Sequence, residues 1–297
     1  MSFFLFPGQG SQAPGMGRDF FEESAPAREV LEEAAALSPP GFLDIVFEGS
    51  PEELAQPHIV QPALFALEVA IARHLIARGI IPTGCAGHSF GEVPALVIAD
   101  AFDFEPAFII AHARGRWMET DVPDGGMAAV LGLPPEDIER TLPEGVTVAN
   151  YNGPRQTIVS GTRAGLQEAE KVLKEAGARR FIILKVAGPF HSPHMRSAEL
   201  QFRKEIEGLE VRSPKIRFVS SVNGQEVSDP ETIRSLLGHQ ICRPVLWTDV
   251  MLRVGPVRAI EVGPGRVLQG LAKRIEGAPT VETAGTLAQA DALEVEP

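Results

Sequence analysis

Cysteine is scarce: only Cys85 and Cys242 occur in 297 residues. Two cannot build a disulfide framework, which fits a reducing compartment such as the cytoplasm. Positive charge is also short, with 27 basic against 39 acidic side chains and a net charge of −12. That deficit argues against broad nucleic-acid binding, which usually needs a basic face. An acidic macromolecular partner would need a local basic patch. Arg179-Arg180 to Lys185 and Arg266 to Arg274 are the candidates, set against the plainer reading of solvated surface charge. No apolar run approaches the roughly 18 residues of a membrane-spanning helix, so no membrane association is expected. The N-terminal MSFFLFPGQG has no basic leader, and its apolar part is too short for a signal peptide. Internal repeats, heptads and low-complexity tracts are missing too. So is any close metal-ligand spacing beyond His191-x-x-His194, which alone is weak.

Hydrophobic residues at 44% and charged residues at 22% describe an ordinary folded chain, long enough for one large domain or two. Ser2 to Phe6 reads as a buried strand stopped by Pro7-Gly8. Residues 62–78 have helical spacing, with Pro62 in the first turn and Gly79 as the C-cap. Thr83 to Gly87 reads as a strand, and Gly91 to Ala99 and 103–120 as helices. From Gly125-Gly126 the order becomes βαββαβ, ending with a strand from Arg179 to Val186. The expected fold is therefore α/β, with a larger, mostly parallel, α/β-hydrolase-like body and an inserted ferredoxin-like subdomain. The boundaries are 1–124 and 192–297 for the body and 125–191 for the insert, with an acidic tail expected to fray. The cleft between the two is a natural substrate site.

The strongest local signal is Gly87-His88-Ser89-Phe90-Gly91, a G-x-S-x-G between strand and helix. This is the context of a nucleophile elbow, with Ser89 exposed at the turn and the Phe90 N–H placed to stabilise an oxyanion. A glycine-rich turn without chemistry is the alternative. Seven histidines could supply the base. Those within helices suit packing, and His88 should point away from its neighbour. Position alone does not separate His191 from His194. No Asp or Glu stands out as a third triad member, though a backbone carbonyl can fix the tautomer equally well. The turn at Pro7-Gly8-Gln9-Gly10 is either a plain helix start or the second oxyanion donor, through Gln9. Arg114, in an apolar helix, is either a snorkelling surface residue, the reading that residue type favours, or a buried fork awaiting a carboxylate. Cys85 reads as a small buried residue.

Together these segments resemble the malonyl-CoA:acyl carrier protein transacylases of bacterial fatty-acid synthesis and the related acyltransferase domains of polyketide synthases. The landmarks are FPGQGSQ at 6–12, VQPALFAL at 60–67, GHSFGE at 87–92, ARGRWM at 113–118, NYNGPRQTIVSG at 150–161, GPFHSPHM at 188–195, RPVLWTD at 243–249 and EVGPG at 261–265. They keep the family's order and leave out little but the tail; the chain's length favours a free-standing bacterial enzyme over an excised synthase module. The resemblance implies Ser89 as nucleophile, His191 as base, and Gln9 and Phe90 as oxyanion donors. It implies Arg114 as the holder of the malonyl carboxylate, Gln61 and Phe190 as pocket residues, and a main-chain oxygen of the RPVLW segment, around Leu246, to orient the histidine. One departure is Phe90, where most relatives carry leucine, and it bears on acyl selectivity.

The implied reaction is ping-pong. Malonyl-CoA acylates Ser89, and the phosphopantetheine thiol of acyl carrier protein removes the group, with no permanently bound cofactor and no nucleic-acid or membrane partner. A cytoplasmic monomer is implied. The rivals are a serine esterase or thioesterase, a polyketide-pathway acyltransferase of different selectivity, and a non-catalytic scaffold that binds carrier protein.

Overall fold

The computed structural model describes residues 2–120 and 122–295. Among the described residues nine strands fall into two sheets. They are β1 (Ser2–Phe6), β2 (Pro82–Gly87), β3 (Gly126–Leu131), β4 (Val146–Gly153), β5 (Gln156–Gly161), β6 (Arg180–Ile183), β7 (Arg217–Val219), β8 (Arg258–Glu261) and β9 (Thr280–Thr283). The larger sheet has the order β7-β2-β1-β8-β9, and every pairing in it is parallel. Parallel strands are covered on both faces, which is why β1 reads as uninterrupted SFFLF with every residue buried.

The helix Pro57–Ala77 packs against this sheet. It starts five residues earlier than the sequence suggests, with Pro57 in its first turn and Pro62 inside it. Arg78 and Gly79, at φ +88°, close it as expected. Contrary to the sequence expectation, this 21-residue helix is long and apolar enough to cross a membrane, but 83% of its apolar window is buried within the protein. It is a core helix.

The second sheet has the order β4-β5-β3-β6 and is antiparallel throughout. Its elements follow the βαββαβ order read from the sequence, although β6 is shorter than the segment Arg179 to Val186. Helix Arg163–Glu175 buries Leu166, Ala169 and Leu173 at helical spacing, and the Thr162 hydroxyl caps its start by accepting from the Gly165 N–H at 3.1 Å.

Contacts on either side of the elbow tie β4 to the larger body. Val245, which precedes helix Trp247–Val254, forms a β-bridge with Asn150 of β4. Its N–H donates to Ala149 O at 2.8 Å and its carbonyl accepts from the Tyr151 N–H at 2.9 Å. The His88 and Asn152 side chains meet at 2.9 Å. The tail expected to fray is packed through Leu293, and its last two residues, 296 and 297, lie outside the described residues. Helix Leu287–Ala292 is held by Arg78, whose guanidinium donates to the carbonyls of Ala290, Asp291 and Leu293, and Leu293 is buried.

Candidate active site

The site is built on the turn after β2, where two glycines are demanded by contact. A Cβ on Gly87 would lie 1.9 Å from the Gly91 carbonyl carbon, and one on Gly91 would lie 2.2 Å from Phe6 O. Between them Ser89 adopts φ +53°, in the left-handed region. His191 does so as well, at φ +57°. Among the described residues only Asp100 joins them as a non-glycine with positive φ. Such conformations cost on the order of 1–3 kcal/mol each and persist only where the surroundings impose them.

His191 lies opposite Ser89, with Nε2 2.7 Å from Oγ. Its Nδ1 faces two main-chain oxygens, Arg243 O at 2.9 Å and Gln240 O at 3.0 Å. Carbonyls only accept, so Nδ1 carries the proton and Nε2 offers its lone pair to the serine. One orienting oxygen belongs to Arg243, the first residue of the RPVLW segment as the resemblance implied, and the other to Gln240 just before it; neither is that of Leu246 itself. Gln240 caps helix Pro230–His239, where the last carbonyls lack intrahelical donors. Leu246 instead donates its N–H to Ser221 O at 2.7 Å and begins the next helix. Among the described residues no carboxylate bonds to His191. Burial above all, and then the Arg114 charge, pull the imidazole down to about 3, so it is neutral across the physiological range. His194, its rival in the sequence, is turned away onto Gly145 O at 2.8 Å.

Arg114 is 1% exposed, which decides against the surface reading. Its Nη2 donates to Ser89 Oγ at 3.1 Å and its Nη1 to the thioether of Met118 at 3.1 Å, while Nε has no partner. The Phe90 ring, fully buried, lies 5.7 Å from the guanidinium carbon. Burial lowers the guanidinium to about 9, partly offset by Glu92, and leaves it cationic at neutral pH. A buried cation whose two terminal nitrogens touch only a hydroxyl and a thioether is under-satisfied, and a carboxylate would complete it.

A cavity of about 230 Å³ surrounds these groups, with Gln9, Ser89, Phe90, Arg114, Phe190 and His191 among its walls. The turn carrying Gln9 sits directly on the elbow, since a Cβ on Gly8 would fall 2.6 Å from His88 O. Gln61 is not on the wall. It lies behind Met118, donating to the same sulfur at 3.2 Å. Cys85 is buried with its thiol pushed up by desolvation, a packing residue as expected.

Sequence reasoning missed Gln240 and gave no role to Met118 or Glu92, while Arg243 was covered only as part of the RPVLW segment. Glu92 stood within the GHSFGE landmark, but nothing local gave it a role. The two basic segments do converge. Arg179, Arg180 and Arg274, with Arg155, line a cleft of about 620 Å³ that shares Gln156 with the cavity around Ser89.

A family model described as the acyl transferase domain matches residues 3–292. The malonyl CoA-acyl carrier protein transacylase of Bacillus subtilis is 36% identical over 283 residues, covering 92% of this chain and 89% of the relative. Among solved structures, the acyl-carrier-protein S-malonyltransferase of Burkholderia pseudomallei superposes with a TM-score of 0.93 at 36% identity, covering 98% of each chain. A malonyl-transacylase in complex with its type II polyketide acyl carrier protein gives a TM-score of 0.93 at 33% identity, again covering 98% of each chain.

Proposed function

Because the chain belongs to the acyl transferase domain family, and within it to the malonyl-CoA:acyl carrier protein transacylases, we propose how its own residues carry out that transfer. The enzyme is an acyltransferase that moves malonyl groups from malonyl-CoA to acyl carrier protein in fatty-acid synthesis. We read the five-stranded body, 1–124 and 192–297, as α/β-hydrolase-like, and 125–191 as a ferredoxin-like insert. The order β4-β5-β3-β6 supports the second reading.

The observation that carries the mechanism is the trio of Ser89, His191 and Arg114 around one oxygen. Ser89 Oγ attacks the thioester carbonyl and its proton passes to His191 Nε2. The N–H groups of Phe90 and Gln9 receive the oxyanion. Collapse breaks the C–S bond, and the departing thiolate of coenzyme A takes the proton from His191, leaving a malonyl-serine ester. The carrier's phosphopantetheine thiol then enters and gives its proton to the same nitrogen. Its sulfur attacks the ester, and the serine oxygen recovers the proton as it leaves. Arg114 exchanges its two weak acceptors for the distal carboxylate of the malonyl group. The cation thereby selects the substrate and anchors the ester.

Intact mass after brief mixing with malonyl-CoA tests this reading. The protein should gain one malonyl group, and holo acyl carrier protein should discharge it. Steady release of coenzyme A and malonate, with no adduct and no need for an acceptor thiol, would identify a hydrolase.

The depressed basicity of His191 fixes a pH dependence. The neutral imidazole is the active form, and it survives down to about 3. The value of kcat/KM for acylation should therefore stay level from pH 7 to about 5, without the fall near the ordinary histidine value of about 6.5. A limb centred on that value would place the base elsewhere. Stability should move differently. Between the two values the unfolded chain binds a proton at this histidine and the folded protein does not, so stability declines as the pH drops below about 6.5.

The arginine cleft suits an anionic partner on a chain of net charge −12. We assign it to the carrier, whose phosphopantetheine phosphate must pass this mouth. Arg179→Glu with Arg180→Glu should raise KM for acyl carrier protein by about 10-fold at low salt, fading as salt rises, while acylation by malonyl-CoA is little changed. An equal rise in KM for malonyl-CoA would assign the cleft to the donor's phosphates.

A further inference from the structure

Taking Ser89 and His191 as nucleophile and base, we infer that Glu92 is a positioning residue: it locks the Gln240 side chain so that one glutamine steadies both partners. Gln240 touches each half of the pair. Its main-chain oxygen faces His191 Nδ1 at 3.0 Å, and its side-chain Nε2 donates to Ser89 O at 2.9 Å. The second contact grips the carbonyl of a residue held at φ +53°, where the backbone would otherwise relax. The same Nε2 donates to Glu92 Oε2 at 2.7 Å.

Glu92 is 1% exposed and receives only donors. Besides Gln240 these are the Ser220 hydroxyl at 2.9 Å and the Ser221 N–H, both on Oε1. Ser220 Oγ accepts from the Val222 N–H at 3.2 Å, so the hydroxyl proton is free to point at Glu92. Three donors and no acceptor describe an ionised carboxylate. Burial, the larger effect, raises this carboxyl above the ordinary glutamate range, and the hydrogen bonds from Ser221, Ser220 and Gln240 offset that only in part. With a carboxylate on one side and the Ser89 carbonyl on the other, the Gln240 amide has only one acceptable orientation. A flip would press its oxygen against two acceptors, and accordingly Gln240 Oε1 is the atom left without a partner.

Glu92→Gln breaks this arrangement without changing its shape. One oxygen remains for Ser220 and Ser221, but an NH₂ group then faces the Gln240 NH₂. The glutamine relieves the clash by flipping, which withdraws the donor from Ser89 and turns an oxygen toward its carbonyl. Malonyl-Ser89 should form about 10- to 100-fold more slowly, the scale of a small misplacement of a reacting group. The affinity for malonyl-CoA, measured in a Ser89→Ala background, should be unchanged.

Gln240→Ala supplies the decisive comparison, because it keeps the carbonyl on His191 and deletes only the amide. It should match Glu92→Gln, and the double variant should be no slower than either single. Wild-type acylation in Glu92→Gln, or penalties that multiply in the double variant, would overturn the proposal. If Glu92→Gln does not fold, unimpaired acylation in Gln240→Ala overturns it as well. Absence of the ester in the wild-type protein would instead overturn the assignment of Ser89.

Discussion

His191→Ala should form the malonyl ester about 10²- to 10⁴-fold more slowly than the wild-type enzyme, the usual contribution of a positioned general base. The expectation follows from how completely this imidazole is committed. Its Nε2 is 2.7 Å from Ser89 Oγ, and two carbonyls hold its Nδ1–H. No other histidine can substitute. His88 spends its Nε2 on Asn152, and His194 bonds to the carbonyl of Gly145. Arg114 still touches the serine oxygen in the variant but is a donor, and it cannot take a proton. Stopped-flow release of coenzyme A, followed beside the mass of the adduct, measures the loss directly. A rate within tenfold of wild type would remove His191 from the base role.

Arg114→Met should invert selectivity. In the wild-type protein an acetyl group leaves the guanidinium with its hydroxyl and thioether contacts, whereas a malonyl group supplies a carboxylate. Truncating one partner of a buried charge pair costs about 2–5 kcal/mol, or roughly 30- to 5,000-fold in kcat/KM for malonyl-CoA. Acetyl-CoA, with no carboxylate to lose, should react as well as before or better. Equal losses for both donors would remove Arg114 from carboxylate recognition. A second readout separates binding from folding. In the free enzyme Arg114 is a buried cation without a bonded carboxylate, so its replacement by an apolar chain of similar length should raise the melting temperature while activity falls.

What could be read from the sequence was local. The elbow announces itself because strand, glycines, serine and helix are contiguous, and steric contact dictates the glycines. The insert's element order was legible for the same reason, each helix having its own caps and apolar stripe. Position alone could not resolve the histidine pair, and only the family resemblance chose His191, because what separates it from His194 is the position of two carbonyls about fifty residues away. Arg114 was misjudged on residue type: arginine is rarely buried, and only the packing of Phe90 and Met118 around it shows that this one is. The C-terminal segment looked too small and acidic to stay put, and it is Arg78, more than two hundred residues earlier, that ties it down. Glu92 lay inside a recognised motif, yet its purpose depends on Ser220, Ser221 and Gln240, which chain distance hides.

The stitching between β4 and the larger body bears on the timing of the cycle. Val245 is bonded to β4 on both sides, and His88 next to the nucleophile is bonded to Asn152 of the same strand. The two walls of the cleft are thus pinned to each other within a few residues of Ser89. On the ping-pong route proposed above, coenzyme A departs before the carrier arrives. In that interval the malonyl ester of this route would wait in the cavity beside Ser89. How long it outlasts water then sets how much malonyl-CoA is lost to hydrolysis when carrier protein is scarce.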